Sequence, residues 1–404
     1  MTATPHARRV LLTDGGAKST LAAARSLHAR GIEVHVAAES RVAMALWSRS
    51  ASRRHIVPGS RTSPDAFVKA LAALQETCHF DAVLPVSDDD IAALLEREAS
   101  WRESGMKVAL PSLNAFEVAR DKSQTLKAAI AVGVPCPETW FPDERPLQEI
   151  AAEAVYPLLV KPNVSAGARG ITLVEGPALL QETYDRVVNA YGPCHLQEWI
   201  PEGGAQYKAD ALVGPCGRML GTFVCRKLRY YPVKGGSSTL IVSDRHASIA
   251  DGVERLLKHL GWYGFADFDF IVDPRDGVAK LMECNPRFPE SLAVNVFAGA
   301  DFPWALFQLA STGEAETLAS YDLGRYARFL VGDVMWFLHS QERFRAQPSF
   351  FRFIDEHLTY YVERWDDPGP ALCSLVEAVR TLASPAQRRY RFARGFRRRT
   401  AAGR

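Results

Sequence analysis

Phe268-Asp269-Phe270 and, beyond a turn at Asp273-Pro274-Arg275-Asp276-Gly277, the run Leu281-Met282-Glu283-Cys284-Asn285-Pro286-Arg287-Phe288 decide how this chain is read. Both runs are apolar and interrupted by acids. The Pro/Asp/Gly turn between them predicts a hairpin of 265–272 with 278–284. Side chains alternate faces along a strand, so Asp269 lies on one face with Asp267 at period 2, and Glu283, Asn285 and Arg287 share one face of the partner strand. Pairing brings these faces together. Two carboxylates and an amide oxygen form a hard-oxygen set suited to Mg²⁺, which takes few protein ligands and completes its shell with phosphates. Arg287 can grip a phosphate or carboxylate through two N–H groups. The plain alternative is a surface hairpin with solvated acids. Acids inside strands this apolar argue against it, because buried carboxylates pair or bind metal. Asp267 is either part of the shell or exposed.

Upstream, Leu158-Leu159-Val160-Lys161-Pro162 reads as a short buried strand ending in lysine, and it enters the small-residue loop Asn163-Val164-Ser165-Ala166-Gly167-Ala168-Arg169-Gly170. Glycines let backbone N–H groups approach and cradle an anion, and the lysine adds a point charge for phosphate. A structural turn is the alternative. Leu196-Gln197-Glu198-Trp199-Ile200-Pro201, followed by Gln206 to Asp210, reads alone as an edge strand and a loop. Two tempting motifs fail. Asp14-Gly15-Gly16-Ala17-Lys18-Ser19 lacks both glycines of a Walker A loop, having Leu12 and Ala17 there, and no GxGxxG is present. Asn163 replaces the first glycine of a GxSxG nucleophile elbow.

The chain before the hairpin alternates strands and helices. Val10–Leu12 enters a Gly turn, Lys18–Arg30 reads as a helix closed by Gly31, and Glu33–Ala37, Asp81–Val86 and Lys107–Leu110 read as strands. Strand–helix alternation predicts a parallel, doubly wound sheet with ligands beyond the strands' carboxyl ends, where Asp14-Gly15-Gly16 and Ser87-Asp88-Asp89-Asp90 sit. The acids of 87–90 either orient substrate or simply favour a helix N-terminus. Pro111-Ser112 marks a boundary, a helical stretch runs from Leu113 to Val132, and residues from Asp301 onward read as mostly helical and aromatic-rich. The expected layout is a Rossmann-like unit (1–112), a small α+β unit with the phosphate loop (113–195), a larger unit with the hairpin (196–310) and a helical C-terminal region (311–404).

With 404 residues, 47% hydrophobic and 23% charged, the composition excludes wholesale disorder and fibres. No apolar run reaches the ~18 residues of a membrane span. Met1 to Arg9 carries no apolar leader-like run. The seven cysteines are scattered without a CxxC or a His/Cys cluster in the sequence, so free thiols in a reducing cytoplasm are expected. His195, His246 and the other histidines read as structural or surface residues. The net charge of +2 is uneven: residues 388–404 hold eight arginines and no acid, leaving −6 on the rest. The body is therefore unlike a nucleic-acid binder. The tail reads as a membrane-surface or protein-contact segment, or as a solvated end.

In this order and spacing, these segments over residues 10–310 resemble the ATP-grasp superfamily, of the carboxylate–amine ligase type and akin to the carbamoyl-phosphate synthase large chain. The most specific parts are Asp269…Glu283-x-Asn285-Pro-Arg287 and Lys161-Pro…Gly167-x-x-Gly170. The resemblance implies a Rossmann-like domain followed by two α+β subdomains that grip ATP. It implies Lys122 and Lys161 on the phosphates, with Ser165, Gly167, Arg169 and Gly170 in a lid over them. Glu198 and Ile200 would read adenine through their backbone, and Gln206, or Glu202 shifted, would meet the ribose. Asp269, Glu283 and Asn285 would hold Mg²⁺, with Mn²⁺ as a substitute, and Arg287 would steady the transferred phosphoryl group or the substrate carboxylate. The implied activity joins a carboxylate to an amine through an acyl phosphate, and a homodimer is the family-level expectation. Two alternatives are a carboxylase or carbamoyl-phosphate-type reaction and a non-catalytic nucleotide-binding regulator. A second Gly-rich stretch, Tyr230 to Ser238, fits a loop over the acceptor site or an ordinary hairpin loop. Arg226 and Arg229 before it meet an anionic substrate or lie on the surface.

Overall fold

The computed structural model describes residues 8–165, 167–233, 236–383 and 397–399. Near the N-terminus, four parallel strands lie in the order 53–56, 33–38, 9–12, 82–84. Apart from Ile56 on the edge strand, their apolar residues are buried on both faces, as a parallel sheet covered by helices requires. The Lys18–Ala29 helix buries Leu21, Ala24 and Leu27 and is followed by Gly31, whose φ of 77° suits only glycine without strain. Pro64–Cys78 and Asp88–Glu96 are the next long helices. The strand expected at Lys107–Leu110 is not formed. That run is extended and gives the sheet one bond, from Val83 N to Lys107 O (2.8 Å), before Pro111 ends it.

The helical stretch after the boundary is two helices, Leu113–Arg120 and Lys122–Ala131. Asp121 breaks it by capping the second helix, its carboxylate accepting from Gln124 N at 3.1 Å. The cap places Lys122 at the first helical residue. A five-stranded sheet follows in the order 397–399, 172–174, 158–162, 194–198, 139–140. The reading of the basic tail as a contact segment lies outside the described residues except for Arg397–Arg399, which pairs in parallel with Thr172–Val174.

The third sheet has seven strands, ordered 279–285, 264–272, 206–213, 219–231, 237–244, 326–328, 358–360. Its last two strands come from the region expected to be helical, alongside the Phe302–Thr312, Leu330–His339 and Gly369–Ala383 helices. One face packs on the Ala247–His259 helix and on 113–131 through Phe268, Phe270, Leu256 and Trp262. The other packs on the helices at 292–297 and 302–312 and on the first unit, and on that face Phe265 meets Phe288 and Phe302 edge-on at 4.7 and 5.3 Å. Full burial of one such phenyl ring contributes about 1.5–3 kcal/mol, so these contacts fix the Phe302–Thr312 helix and the segment after the hairpin against the sheet. No helix among the described residues is long and apolar enough to cross a membrane. All seven cysteines are free.

Candidate active site

The hairpin forms with Asp269 opposite Glu283 and Asp267 opposite Asn285, and a register shift follows Asp269. Asp267 is only 1% exposed, which removes the solvated alternative for it. Two neighbouring strands bring lysines to this face. Lys208 Nζ donates to Asp267 Oδ2 at 2.8 Å and to Asp269 Oδ2 at 3.1 Å, while Lys227 Nζ donates to Asp269 Oδ1 at 2.5 Å. Asn285 Nδ2 reaches the same two acids at 3.1 and 3.4 Å. Against the cost of burial, the Asp267 and Asp269 charges hold the Lys208 ammonium well above its ordinary range, and the two lysines hold the Asp269 carboxyl well below its own. Behind them, Asp210 stands opposite Asp267 on the next strand. Burial and the Asp267 charge push the Asp210 carboxyl well above its ordinary range, and Asn295 Nδ2 donates to it at 2.7 Å.

Lys122 joins this face to the phosphate-type loop. Its Nζ lies 3.3 Å from Glu283 Oε2 and donates to the Ser165 carbonyl at 2.6 Å. Lys161 is 4% exposed and donates to Gln197 Oε1 at 2.8 Å. Burial lowers its ammonium to about 8, with Glu283 opposing and Lys122 adding to the shift. His195 lies opposite Lys161 and donates from Nδ1 to Asn163 Oδ1 (3.0 Å); burial and the two lysines disfavour its protonated form. The loop turns through left-handed conformations at Gly167, Ala168 and Gly170, with Arg169 inside the turn. A Cβ at Gly170 would sit 2.7 Å from Pro162 Cγ, so glycine is required there on two counts.

Arg287 points to the first unit instead, its Nε donating to Asp88 Oδ2 at 2.8 Å. Asp88 Oδ1 is buried with no hydrogen-bond partner among the described residues. Ser87 also caps its helix by accepting from Asp90 N, as the helix N-terminus reading of the 87–90 acids expects. Asp14, at the end of the first strand, has its carboxyl raised to about 7 by burial and by the Asp90 and Glu290 charges. Glu290 pairs with Lys18.

Glu198 ends the 194–198 strand of the five-stranded sheet and reaches the far end of the hairpin. Its carboxylate binds Arg275 at 2.5 Å and Lys280 at 3.0 Å and accepts from Glu138 N at 2.9 Å. Ile200 is buried, and Gln206 faces Lys227 and Ile271 in register. Arg226 pairs with Asp244 at 3.2 Å, and Arg229 is buried against Asp333, so neither is an open anion contact. The Tyr230–Ser238 stretch is a hairpin end, with 234 and 235 outside the described residues.

Lys208, Lys227 and Asp88 are the groups that hairpin periodicity alone missed. A lysine inside a largely apolar strand, Lys208 in Tyr207–Val213 above all, was the signal available. The hard-oxygen donors Asp269, Glu283 and Asn285 share one face on which ammonium groups already rest, so the residues present suit a divalent cation of the Mg²⁺ class.

Known structures share this arrangement of sheets. Biotin carboxylase from Campylobacter jejuni, solved with a βγ-ATP complex, superposes with a TM-score of 0.63 at 18% identity, over 78% of this chain and 74% of that one. N5-carboxyaminoimidazole synthetase from Staphylococcus aureus gives 0.61 at 14% identity, over 79% and 80%. The chain has the ATP-grasp fold. L-Amino acid ligase from Bacillus licheniformis has it too, with a TM-score of 0.57 at 14% identity, over 78% and 76% of the two chains. In sequence, the C-terminal section of a carbamoyl phosphate synthase large chain from Methanopyrus kandleri is 23% identical over 194 residues, 46% of this chain. The chain spans 36% of that relative's length. No family profile matches the sequence.

Proposed function

We propose that this protein is an ATP- and Mg²⁺-dependent ligase that activates a carboxylate as its acyl phosphate and joins it to an amine, releasing ADP and phosphate. One observation carries the reading: the Lys122 ammonium touches both Glu283 of the hairpin and the Ser165 carbonyl of the glycine loop, which makes one site of three distant segments. Phosphoryl transfer asks chiefly for alignment and charge neutralisation. Lys122 and Lys161 serve the phosphates, and the 165–170 loop covers them. The backbone of Glu198 and Ile200 reads the adenine, and Gln206 lies toward the ribose. Asp269, Glu283 and Asn285 hold Mg²⁺, which neutralises charge on the phosphates when bound.

Arg287 takes the acid. A substrate carboxylate competes with Asp88 for its guanidinium, and the released Asp88, with its unpartnered oxygen, faces the incoming ammonium. A carboxyl that titrates near 7, as Asp14 does, is matched to accept the proton an amine loses on attack. The carboxylate oxygen takes the γ-phosphoryl group, the amine nitrogen then bonds to the acyl carbon, and phosphate leaves.

The test is phosphate release from ATP and Mg²⁺ against panels of carboxylates, bicarbonate included, and amines, with Glu283→Ala as control. Release that requires one acid and one amine and disappears in Glu283→Ala is expected. Release with bicarbonate and no amine would replace the ligase with a carboxylating enzyme, and absence of ATP binding would overturn the reading.

A further inference from the structure

The first unit holds a second cluster that the ATP site does not use. In the parallel pair 33–38 and 53–56, Ala37 lies opposite His55, so His35 and His55 share one sheet face. The Pro64–Cys78 helix covers that face and ends at Cys78. His79 then turns through a left-handed conformation, and Phe80 sets its ring edge against His35 at 4.9 Å. The result is three ligand-type atoms, His35 Nδ1, His55 Nε2 and Cys78 Sγ, all within 4.8 Å of one another. The two ring nitrogens are 2.9 Å apart and the rings are stacked.

The hydrogen bonding around the cluster sets the His35 imidazole for a metal, while His55 Nε2 donates to the His35 Nδ1 lone pair at 2.9 Å and ligates once its proton moves to Nδ1. His35 Nε2 lies 3.1 Å from Glu33 Oε1, and a carboxylate can only accept, so the proton is on Nε2 and the Nδ1 lone pair points at the cluster. A carboxylate on the far nitrogen of a ligating histidine is the usual device for fixing tautomer and ring orientation. Arg9 holds that carboxylate in turn, Nε to Glu33 Oε2 at 3.1 Å, and donates through Nη1 to the Cys78 carbonyl at 3.0 Å.

We propose that His35, His55 and Cys78 form a binding site for a Zn²⁺-class transition metal that clamps the edge strand 53–56 to the Pro64–Cys78 helix. Two imidazoles and a thiolate select a borderline-soft ion over Mg²⁺. Zn–N bonds of about 2.0–2.1 Å set tetrahedral N···N separations near 3.3 Å, so the ring nitrogens open by a few tenths of an ångström and the sulfur closes in. The thiol gives up its proton on binding. Glu33, Cys78 and Arg9 lie at the amino end of the sheet, whereas Asp14 and Asp88 lie at its carboxyl end. The metal is therefore distinct from the ATP centre and does not take part in its chemistry.

The test uses the full chain, freed of any affinity tag and of metal, titrated with Zn²⁺ and, for its spectrum, Co²⁺. One bound equivalent is expected, with tetrahedral ligand-field bands and a thiolate charge-transfer band in the Co²⁺ form. Glu283→Ala should retain both. Cys78→Ser should lose the thiolate band, His55→Ala should lose stoichiometric binding, and Glu33→Gln should weaken binding about 10- to 100-fold. Absence of stoichiometric binding in the wild type would overturn the assignment. So would binding unchanged in Cys78→Ser and His55→Ala, which would place the ion at other residues.

Discussion

Asp269 and Asp333 each carry two cations against the same sheet, but the two knots are built differently. Asp333 takes Arg229 at 2.7 Å and Arg328 at 3.1 Å on one oxygen and the Thr239 hydroxyl at 3.1 Å on the other. The guanidinium groups are held further: Arg229 bonds the Pro348 carbonyl and lies over Trp336 at 4.6 Å, and Arg328 bonds the Phe350 carbonyl and lies over Phe350 and Phe353. Both arginines are about 1% exposed at the side chain. Asp269 holds two ammonium groups, compact charges on flexible stems, and its surroundings open progressively toward Glu283, which is 32% exposed. Planar forks locked onto carbonyls and rings make a clasp, whereas ammonium groups at an opening can change partners.

The sharpest way to break this comparison is to remove each carboxylate. Asp333→Ala leaves two arginines buried without their counter-ion and should cost about 3–5 kcal/mol. A denaturant midpoint shifted accordingly, with unchanged slope, is the expected reading. Asp269→Asn keeps shape and leaves Lys208 on Asp267, so its stability should stay within about 1 kcal/mol of the wild type. Its ATP turnover should instead fall roughly 100-fold or more. Equal destabilisation by the two changes would mean that the lysine knot is also a clasp.

Lys161 sharpens the contrast from within the site. Its ammonium is lowered to about 8, so it loses charge as pH rises through that value. Since kcat/KM reports the free enzyme, kcat/KM for ATP should hold below about pH 8 and be down about tenfold one unit above it. Lys161→Arg keeps its charge and should abolish the fall whatever its absolute rate. A wild-type profile flat to pH 10 would remove Lys161 from the phosphates.

What could be read from the chain was local. The hairpin lies within some twenty residues, and period-2 alternation put Asp269, Glu283 and Asn285 on one face before any tertiary information. Lys208 and Lys227 reach that face only through the pairing of 206–213 with 264–272 and 219–231, which no spacing rule encodes. The His35, His55 and Cys78 cluster is equally non-local, being assembled from two strands and a helix end. One local signal was passed over: Asp121-Lys122-Ser123-Gln124 is a capping pattern, and it splits the helix where Lys122 is needed. The run at Lys107–Leu110 has strand-like residues, but Pro111 and an edge position leave it one ladder bond.

The smallest expected effect tests whether the lysine knot is exchangeable. Lys227 sits on Asp269 Oδ1, where it competes with any metal ion for the same oxygen. In the nucleotide-free protein, Lys227→Met removes that competitor and one like charge while keeping the length of the side chain, so Mn²⁺ affinity should rise several-fold in a spin-resonance titration. Lys208→Met is the contrast: Lys208 is held by two acids at once and is 8% exposed, and its loss should strand Asp267 and lower stability more than it alters metal binding. If the Lys227 change weakens Mn²⁺ binding, the ammonium supports the oxygen donors instead of competing with the ion. The likeness between the lysine and arginine knots would then be closer than their exposure suggests.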